Sequence, residues 1–261
     1  MEKNFNVVMK MKPKVIVLRT AGTNCDYETI NVFEYLGAEV KSVHINLLLN
    51  KKVSLQDFHI LVLPGGFADG DYISSAKILA NKIKYGLGEE IKEFIKSKKL
   101  ILGICNGFQT LIKSGLLNAS GNIFQQQLSL ISNDSGHFQN QWITLKNVGG
   151  KHCVWTKNIE SVYCPINHGE GKLVLKEEIL NELKQKDLIV FKYEKNPNGS
   201  TESIAGICDL TGRIFGLMPH PEKNIYSVND PRSTREELPF EGEGIQLFRN
   251  GVNYIKENFN E

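Results

Sequence analysis

One cysteine stands between two glycines at the point where an apolar run ends. The run LILGIC covers residues 100–105, and Gly103 and Gly107 each lie two positions from Cys105. This spacing is typical of the tight turn between a strand and a helix that exposes a nucleophile. The N–H groups of a helix that begins there favour the thiolate form of a cysteine. The pattern predicts nucleophilic chemistry at Cys105, against the alternative of a small apolar residue that ends a buried strand.

A thiol nucleophile needs a base and a group that orients the base. His220 follows the apolar stretch GLM, and Glu222 lies two residues farther on. Pro219 and Pro221 bias this segment toward extended geometry, in which residues two apart share a face. The carboxylate of Glu222 would then hold the imidazole of His220, as the aspartate does in a Ser-His-Asp triad. The alternative is a loop histidine beside a solvated glutamate.

Acyl transfer at this cysteine also needs donors for an oxyanion. One candidate is the backbone N–H of Asn106, directly after the nucleophile, and another is that of Gly66 in PGGF, residues 64–67. A Pro-Gly-Gly sequence by itself is a turn. Here it ends a second apolar run, so both donors would lie at the carboxyl edge of one sheet, where α/β folds bind ligands. Together these features predict a thiol acyl-transfer centre.

The elements that must position these residues alternate in the first half of the chain. Apolar residues at helical spacing, such as Ile91, Phe94 and Ile95, alternate with runs rich in β-branched residues. The alternation predicts an α/β fold with three layers, in which an open, mostly parallel sheet has helices on both faces. The predicted strands are KVIVLRT (14–20), KSVHIN (41–46), FHILVLPGG (58–66) and LILGIC. The predicted helices are one in DYETINVFEYLGAEV (26–40) that stops at Gly37, EEIKEFIKSKK (89–99) and a short helix after Cys105 that closes near Gly115.

The second half contains short strand candidates at close spacing and ends in a helix. The stretch SIAGICDLTGRIFGLM (203–218) predicts a hairpin around DLTG. Ile245, Phe248 and Val252 recur at the spacing of an amphipathic helix. This half is therefore expected to add antiparallel strands to the sheet. The further strand candidates are FQNQWITLKN (138–147), HCVWTK (152–157), SVYCPINHGEG (161–171) and DLIVFKYEKN (187–196).

The chain of 261 residues can bury a large core. The polar stretches at 193–202 and 228–244 do not have the composition of linkers. We therefore expect a single domain over residues 1–261, with its core at about 13–258. The role of the 228–244 loop does not follow from its sequence.

Composition and charge exclude several classes of protein. The net charge of +2 predicts no nucleic-acid partner. No apolar run reaches the roughly 18 residues that cross a membrane, so no membrane contact is expected. The N-terminal sequence MEKNFNVVMKMKPK has no signal-peptide core. We expect a cytoplasmic protein.

The five cysteines are odd in number and scattered, which argues against a disulfide framework. A zinc site can be imagined from His152, Cys153, Cys164 and His168, but their spacing fits no common set of ligands. No metal is therefore expected in this chain. Cys25 has two interpretations. It lies at the edge of a pocket or interface, or it packs locally while Asn24 or Asp26 caps the next helix.

Three short motifs, in this order, resemble the class I (triad) glutamine amidotransferases: PGG (64–66), GICNGFQ (103–109) and MPHPE (218–222). Further stretches resemble one family among them, the glutaminase subunits of phosphoribosylformylglycinamidine synthase. The stretches that carry this closer resemblance are AGTNCD (21–26), PGGFADGDY (64–72), CNGFQ (105–109), NHGEG (167–171) and IAGICD (204–209). The similarity covers about residues 13 to 258. Two stretches depart from the family pattern. The first turn, RTAGTNCD, is longer than expected, and so is the stretch between HPEK and the last helix. Both lie outside the proposed triad, so they concern partner contacts more than chemistry.

The resemblance implies a flavodoxin-like fold and the hydrolysis of glutamine through a thioester on the cysteine. Cys105 would attack the side-chain amide, His220 would transfer the proton, and Glu222 would orient His220. Backbone N–H groups near Gly66 and Asn106 would stabilise the oxyanion. His168 is the rival base. The residues that the resemblance places around glutamine are Gly65, Phe67, Gln109, Asn167, His168 and Gly169.

The resemblance also implies partners, because free ammonia is protonated at neutral pH and loses its nucleophilicity. A synthetase subunit would receive ammonia through a channel and use ATP and Mg²⁺ to convert formylglycinamide ribonucleotide to the amidine. A small accessory subunit is also expected. No G-x-x-x-x-G-K-[ST] phosphate loop exists in this chain, so ATP and Mg²⁺ belong on the partner and this chain needs no cofactor.

Other functions stay open at this stage. The chain could be another triad amidotransferase or a stand-alone γ-glutamyl hydrolase, although CNGFQ and GDY argue against both. It could also be a non-enzymatic redox sensor whose elbow cysteine is oxidised, although such a protein would not need the HPE motif. A catalytically dead binding subunit is a further alternative, and the intact set of cysteine, histidine and glutamate argues against it.

Overall fold

The structure is a computed structural model, and it describes residues 11–259. Most of the N-terminal stretch in which no signal peptide was found therefore lies outside the described residues, as do positions 260 and 261. Within 11–259 the chain forms a nine-stranded sheet and a separate two-stranded sheet. The strands are β1 (Lys14–Arg19), β2 (Glu39–His44), β3 (Ile60–Leu63), β4 (Leu100–Ile104), β5 (Leu128–Ile131), β6 (Gln139–Asn147), β7 (Ser161–His168), β8 (Lys172–Leu175), β9 (Ile189–Tyr193), β10 (Ile204–Cys208) and β11 (Ile214–Leu217).

The order of strands in the large sheet is β2-β1-β3-β4-β11-β10-β9-β6-β7. The first five of these strands are parallel to one another, and the remaining pairs are antiparallel. The strands β3, β4 and β11 are buried along their whole length, which explains their continuous apolar sequences. Since they are adjacent and parallel, their carboxyl ends lie at one edge of the sheet. The residues predicted to do chemistry follow these three strands.

Helices cover the sheet. The ring of Phe33 in α1 packs edge-on against that of Phe248 in α7, with centroids 5.4 Å apart, and α3 and α5 pack against each other. None of the helices within residues 11–259 has the length and apolar character to cross a bilayer. The helices are α1 (Asp26–Tyr35), α2 (Ile45–Leu49), α3 (Lys77–Asn81), α4 (Gly88–Lys96), α5 (Asn106–Ser114), α6 (Glu177–Gln185) and α7 (Ile245–Asn258).

The predicted α/β class is confirmed, with a mainly parallel sheet in the first half and antiparallel strands from the second. The predicted hairpin is the β10–β11 pair. The short helix after Cys105 ends at Gly115, whose φ of 78° is the left-handed conformation that glycine favours. One sheet joins strands from both halves of the chain. The assignment of residues 1–261 to a single domain stays a prediction.

One predicted strand is wrong. Residues 152–157 do not form a strand, because Val154–Thr156 is a turn of 3₁₀-helix that directs Trp155 into the core. The indole N–H donates to the carbonyl of Arg213, and the ring packs against α7 at Gly251. The large apolar side chains in this segment fix a turn in the core, and they do not alternate with polar residues as those of a strand do.

Several elements were not predicted. The strands β5 and β8 have only four residues each and pair with one another outside the main sheet, so their sequence signal is short. The helix α6 did carry a signal, because Ile179, Leu180 and Leu183 recur at helical spacing after Glu177 and Glu178 in the first turn.

Candidate active site

The turn at Cys105 has the geometry of a nucleophile elbow. Cys105 adopts φ 51° and ψ −105°, a conformation that non-glycine residues rarely take. Its N–H donates to the carbonyl of Leu217 at 2.9 Å, so β11 supports the turn. A Cβ on Gly107 would lie 1.8 Å from the carbonyl oxygen of Leu63, which explains why glycine stands there. The side chain of Cys105 is therefore held at the carboxyl edge, between β4 and α5.

His220 and Glu222 form a buried pair beyond the end of β11. The Nδ1 of His220 lies 2.6 Å from Oε1 of Glu222, and each residue is only 1% exposed. The backbone N–H of His220 donates to the carbonyl of Pro165 in β7 at 2.8 Å. The predicted reason for this pairing was wrong. Pro221–Lys223 is a 3₁₀ turn and not an extended segment, and the turn places the carboxylate beside the imidazole.

The surroundings of His220 favour its charged form. Burial opposes the imidazolium, but the Glu222 carboxylate and the sulfurs of Cys105 and Cys25 outweigh burial and raise the pKa of His220 well above its ordinary value. The Nδ1–H donates to the carboxylate, so Nε2 is left for proton transfer. That Nε2 atom is buried and has no hydrogen-bond partner among the described residues. Such an atom is ready to exchange a proton with a neighbouring thiol or substrate.

The two proposed oxyanion donors are free to donate. The backbone N–H groups of Gly66 and Asn106 make no hydrogen bond to any residue within 11–259. Asn106 is the first residue of α5, where N–H groups have no partner inside the helix. The N–H of Phe67 differs, because it donates to the carbonyl of Gly22 at 2.8 Å. Gly66 and Asn106 therefore offer N–H groups beside the elbow, and Phe67 does not.

The side chain of Asn106 ties the elbow to the loop that carries Gly66. Its Oδ1 accepts from the N–H of Ala68 at 3.2 Å, and its Nδ2 donates to Asp71 at 3.1 Å and to Gln109 at 2.9 Å. The carboxylate of Asp71 in turn accepts from the N–H of Ala76 at 3.1 Å. Asn106 is thus buried and makes three hydrogen bonds, which fix the loop with respect to α5.

The turn after β7 completes the site. The thiol of Cys105 lies 3.6 Å from the carbonyl oxygen of Asn167, and Nε2 of Gln109 donates to the carbonyl of Glu170 at 2.8 Å. The side chain of Asn167 points elsewhere, since its Oδ1 accepts from Lys223 at 3.0 Å. Asn167 thus faces the thiol through its backbone, and Gln109 links α5 to this turn.

His168 has a structural environment. Its Nδ1 lies 3.1 Å from Oδ1 of Asn133, and its Nε2 lies 3.4 Å from Nδ2 of Asn198. Burial, helped by the charge of His220, lowers the pKa of His168 to about 4. The rival base is therefore neutral at physiological pH, and both its ring nitrogens face amide groups.

The remaining predicted residues lie on two sides of the elbow. Gly65 and Phe67 belong to the loop after β3, where the side chain of Phe67 is 46% exposed. Gly169 lies in the turn after β7, and its carbonyl accepts from the N–H of Asn133 at 2.9 Å. The contacts of these residues with the substrate glutamine stay predictions. Asn133, which holds the turn after β7, was not predicted, because it stands in no recognised motif. Asp71 stands in the GDY stretch of the resemblance, but no role was predicted for it.

The capping part of the local interpretation of Cys25 is wrong, although Cys25 is buried as that interpretation expected. Cys25 itself is the N-cap of α1 and makes no capping bond through its side chain, and the Oδ1 of Asn24 accepts from the thiol of Cys25 at 3.3 Å instead of capping the helix. The sulfur of Cys25, a ring nitrogen of His220 and a carboxylate oxygen of Glu222 all lie within 4.8 Å of one another. The sulfur of Cys25 is therefore part of the active site.

Over residues 11–259 this is the single trio of histidine, cysteine or carboxylate groups close enough to share a metal ion. The imagined zinc ligands are accordingly not brought together. Cys164 lies in β7, and His152 contacts Cys208 at 3.7 Å instead.

Comparison with known proteins agrees with this geometry. A family described as the CobB/CobQ-like glutamine amidotransferase domain matches residues 12–255. A phosphoribosylformylglycinamidine synthase subunit PurQ from Dehalococcoides mccartyi is 42% identical over 253 residues, which cover 94% of this chain and 99% of that protein. This chain belongs to the PurQ family of glutamine amidotransferases. A PurQ relative from Methanococcus maripaludis is 40% identical over 96% of this chain and 100% of its own length.

A solved structure supports the same family. The structure of PurLQS from Thermotoga maritima contains a chain that is 31% identical to this one, with a TM-score of 0.75. The alignment covers 94% of this chain and 100% of that chain. The family and the fold class predicted from the sequence motifs are thus confirmed, and the chain is a glutamine amidotransferase.

Proposed function

We propose that this PurQ-family chain is the glutaminase subunit of a phosphoribosylformylglycinamidine synthase. It hydrolyses glutamine to glutamate and ammonia and passes the ammonia to a synthetase subunit. The observation that carries the proposal is the site at the carboxyl edge of the sheet. A strained cysteine on an elbow lies beside a buried imidazole whose other nitrogen is bound to a carboxylate at 2.6 Å. This arrangement is that of a cysteine acyl-transfer enzyme.

In the first step Cys105 attacks the side-chain carbonyl carbon of glutamine, and the thiol proton resides on His220. The raised pKa of His220 supports this, because the imidazolium is stabilised by Glu222 until the leaving group takes the proton. The oxyanion accepts from the N–H groups of Gly66 and Asn106, each of which lacks another acceptor within the described chain. The proton then passes from His220 to the departing amine, and ammonia leaves.

In the second step water attacks the γ-glutamyl thioester, and His220 takes a proton from that water. The same two N–H groups stabilise the second oxyanion. The thiolate of Cys105 is released with glutamate. Gln109 shapes the pocket from the α5 side, together with Gly65, Phe67 and the backbone of Asn167, His168 and Gly169.

Ammonia must reach the next active site unprotonated, which a bound synthetase achieves by enclosing its path. The loop that follows Gly66 offers a surface for such a partner, because Tyr72 and Ile73 are 74% and 89% exposed although both are apolar. A small accessory subunit completes the proposed complex. The structure of PurLQS from Thermotoga maritima supports a three-part assembly.

The synthetase subunit binds ATP and Mg²⁺ in this proposal and converts formylglycinamide ribonucleotide to formylglycinamidine ribonucleotide. The glutaminase chain itself needs no cofactor for hydrolysis, since its nucleophile, base and oxyanion donors are all protein groups. We place the complex in the cytoplasm, which suits a protein with five scattered cysteines.

The test is glutamate release from glutamine by the purified chain, alone and with its synthetase and accessory subunits. We expect slow release by the chain alone and strong stimulation by the partners together with ATP and the ribonucleotide. The Cys105→Ala variant should release no glutamate in either condition. A matched control is Cys153→Ala, which removes another buried thiol, one that directly precedes the 3₁₀ turn Val154–Thr156.

Two outcomes contradict the proposal. Fast release that ignores the partner subunits indicates a stand-alone hydrolase. Full activity of Cys105→Ala would remove the thioester from the mechanism.

A further inference from the structure

A second thiol lies in the active site, and the mechanism above does not use it. Cys25 is 4% exposed, and its backbone N–H donates to the carbonyl of Gly65 at 3.2 Å. This bond holds the start of α1 against the loop after β3. The sulfur therefore has a fixed place beside the catalytic residues, although α1 and the elbow are distant in sequence.

Gly65 marks the point where the two cysteines approach each other. A Cβ built on Gly65 would lie 3.2 Å from the sulfur of Cys25, 3.4 Å from the Cβ of Cys105 and 2.7 Å from Cε1 of His220. Only a residue without a side chain leaves this space open. Both thiols thus border the same small volume, with the catalytic imidazole as its third wall.

We propose that Cys25 is a resolving thiol, which forms a disulfide with Cys105 when peroxide oxidises the nucleophile. The proposal rests on the function assigned to Cys105 above. A disulfide needs two Cβ atoms about 3.5–4.5 Å apart, and the shared volume at Gly65 is where the two side chains would meet. The modification would stop glutamine hydrolysis and protect the nucleophile.

The chemistry is balanced with hydrogen peroxide as the oxidant. The thiolate of Cys105 attacks one peroxide oxygen, the O–O bond breaks, and the sulfenic acid forms while hydroxide takes a proton to become water. The thiol of Cys25 then attacks the sulfenic sulfur, so that an S–S bond forms and the S–OH bond breaks. The hydroxide leaves as water with the thiol proton of Cys25, which His220 can carry. Two thiols are oxidised, and one peroxide becomes two waters.

The thiol of Cys25 has few partners to lose on reaction. Its sulfur donates to Oδ1 of Asn24 at 3.3 Å, a weak bond that rotation of the side chain would break. Without a resolving thiol, a sulfenic acid goes on to sulfinic acid, which ordinary reductants do not restore. With one, a thiol reductant returns both cysteines to their active state.

The experiment treats the assembled complex with hydrogen peroxide and then with dithiothreitol, and follows both glutamate release and peptide masses. In the wild type we expect a cross-link between the tryptic peptides 20–41 and 100–113, which contain Cys25 and Cys105. Activity should fall as the cross-link appears and should return on reduction. In Cys25→Ser we expect no cross-link and a sulfinic acid at Cys105. Reduction of this variant should recover roughly tenfold less activity than reduction of the wild type does.

The matched control is Cys153→Ser, which removes a buried thiol from another part of the fold and should respond as the wild type does. The proposal is overturned if oxidised wild type contains sulfinic Cys105 and no cross-linked peptide, or if Cys25→Ser recovers fully. The cross-link in the wild type decides the matter even if Cys25→Ser folds poorly. Failure of the proposed function is separate, because it shows as absent glutamate release before any oxidant is added.

Discussion

The chain contains two His-x-Glu triplets, and the fold gives them opposite environments. His220 and Glu222 bind each other at 2.6 Å, and the pKa of His220 is raised. His168 lies against amide side chains, and its pKa falls to about 4. Its glutamate, Glu170, instead accepts from the N–H of Ser75 at 3.3 Å and binds the buried ammonium of Lys113.

The difference shows what makes a buried histidine a base. Both imidazoles are removed from water, and burial alone favours the neutral form. For His220 the carboxylate at Nδ1 reverses this, helped by the sulfurs of Cys105 and Cys25, and the 3₁₀ turn at Pro221–Lys223 determines the carboxylate contact. At His168 the strand β7 ends and Glu170 lies in the bend beyond it, directed toward α5. Backbone geometry, and not the His-x-Glu spacing, assigns the roles.

The sharpest test compares the two histidines in glutamate release by the complex. His220→Gln removes the proton carrier, so we expect kcat/KM to fall roughly 10³- to 10⁴-fold. His168→Gln keeps an amide where the ring bound Asn133 and Asn198, and should cost less than about tenfold. Equal losses of acylation rate in the two variants would contradict this assignment and would make His168 a candidate base again.

The two glutamates form the next pair. Glu222→Gln leaves His220 buried without its carboxylate, so the pKa of His220 falls and its charged form is lost at lower pH. We expect kcat to fall roughly 10²- to 10³-fold and the alkaline limb of the pH profile to move to lower pH. Glu170→Gln should leave the position of that limb unchanged, because Glu170 binds Ser75 and Lys113. A shift of the limb in Glu170→Gln alone would reverse the assignment.

The lowered pKa of His168 makes a prediction about stability in acid. The unfolded chain protonates this histidine near its ordinary pKa of about 6.5. The folded chain resists protonation until about pH 4. The stability that comes from the neutral ring is therefore fully present above about pH 6.5 and is lost as the pH falls toward 4. The loss is roughly 3 kcal/mol over this range.

Urea unfolding at a series of pH values measures this contribution. The difference in unfolding free energy between wild type and His168→Gln should shrink by roughly that amount from pH 7 to pH 4. The control is His137→Gln, which replaces an exposed histidine and should change the unfolding free energy at pH 7 by less than about 0.5 kcal/mol. A constant difference between wild type and His168→Gln would show that the ring titrates normally in the folded protein.

These comparisons also show how far the sequence could predict the site. Cys105 could be found because the glycine spacing imposes the elbow locally. Gly66 and Asn106 followed from their positions, because Gly66 lies in the turn after a buried strand and Asn106 comes directly after the nucleophile. The pairing of His220 with Glu222 was predicted, but from an extended backbone that this segment does not adopt. A place at a pocket edge was one of the two interpretations of Cys25, but its contact with Gly65 could not be predicted, because that contact joins segments about 40 positions apart, which no local pattern encodes. Asn133 and Asn198 were missed for the same reason.

The smallest expected effect on activity comes from the removal of Asn198, whose side chain contacts His168. Asn198 is buried, its Nδ2 donates to the carbonyl of Gly171 at 2.9 Å, and its Oδ1 accepts from Ser200 at 3.0 Å. Asn198→Ala leaves these buried groups unpaired, so we expect about 1–3 kcal/mol lower unfolding free energy. Asn253→Ala, at an exposed position of α7, should change it by less than about 0.5 kcal/mol.

Glutamate release by Asn198→Ala should stay within about threefold of the wild type at a temperature where the variant is folded. This follows because Asn198 holds a histidine that transfers no proton, whereas Glu222 holds one that does. A much larger loss of kcat without a loss of stability would mean that the turn after β7 positions the substrate through His168. The two His-x-Glu triplets would then share the catalytic work.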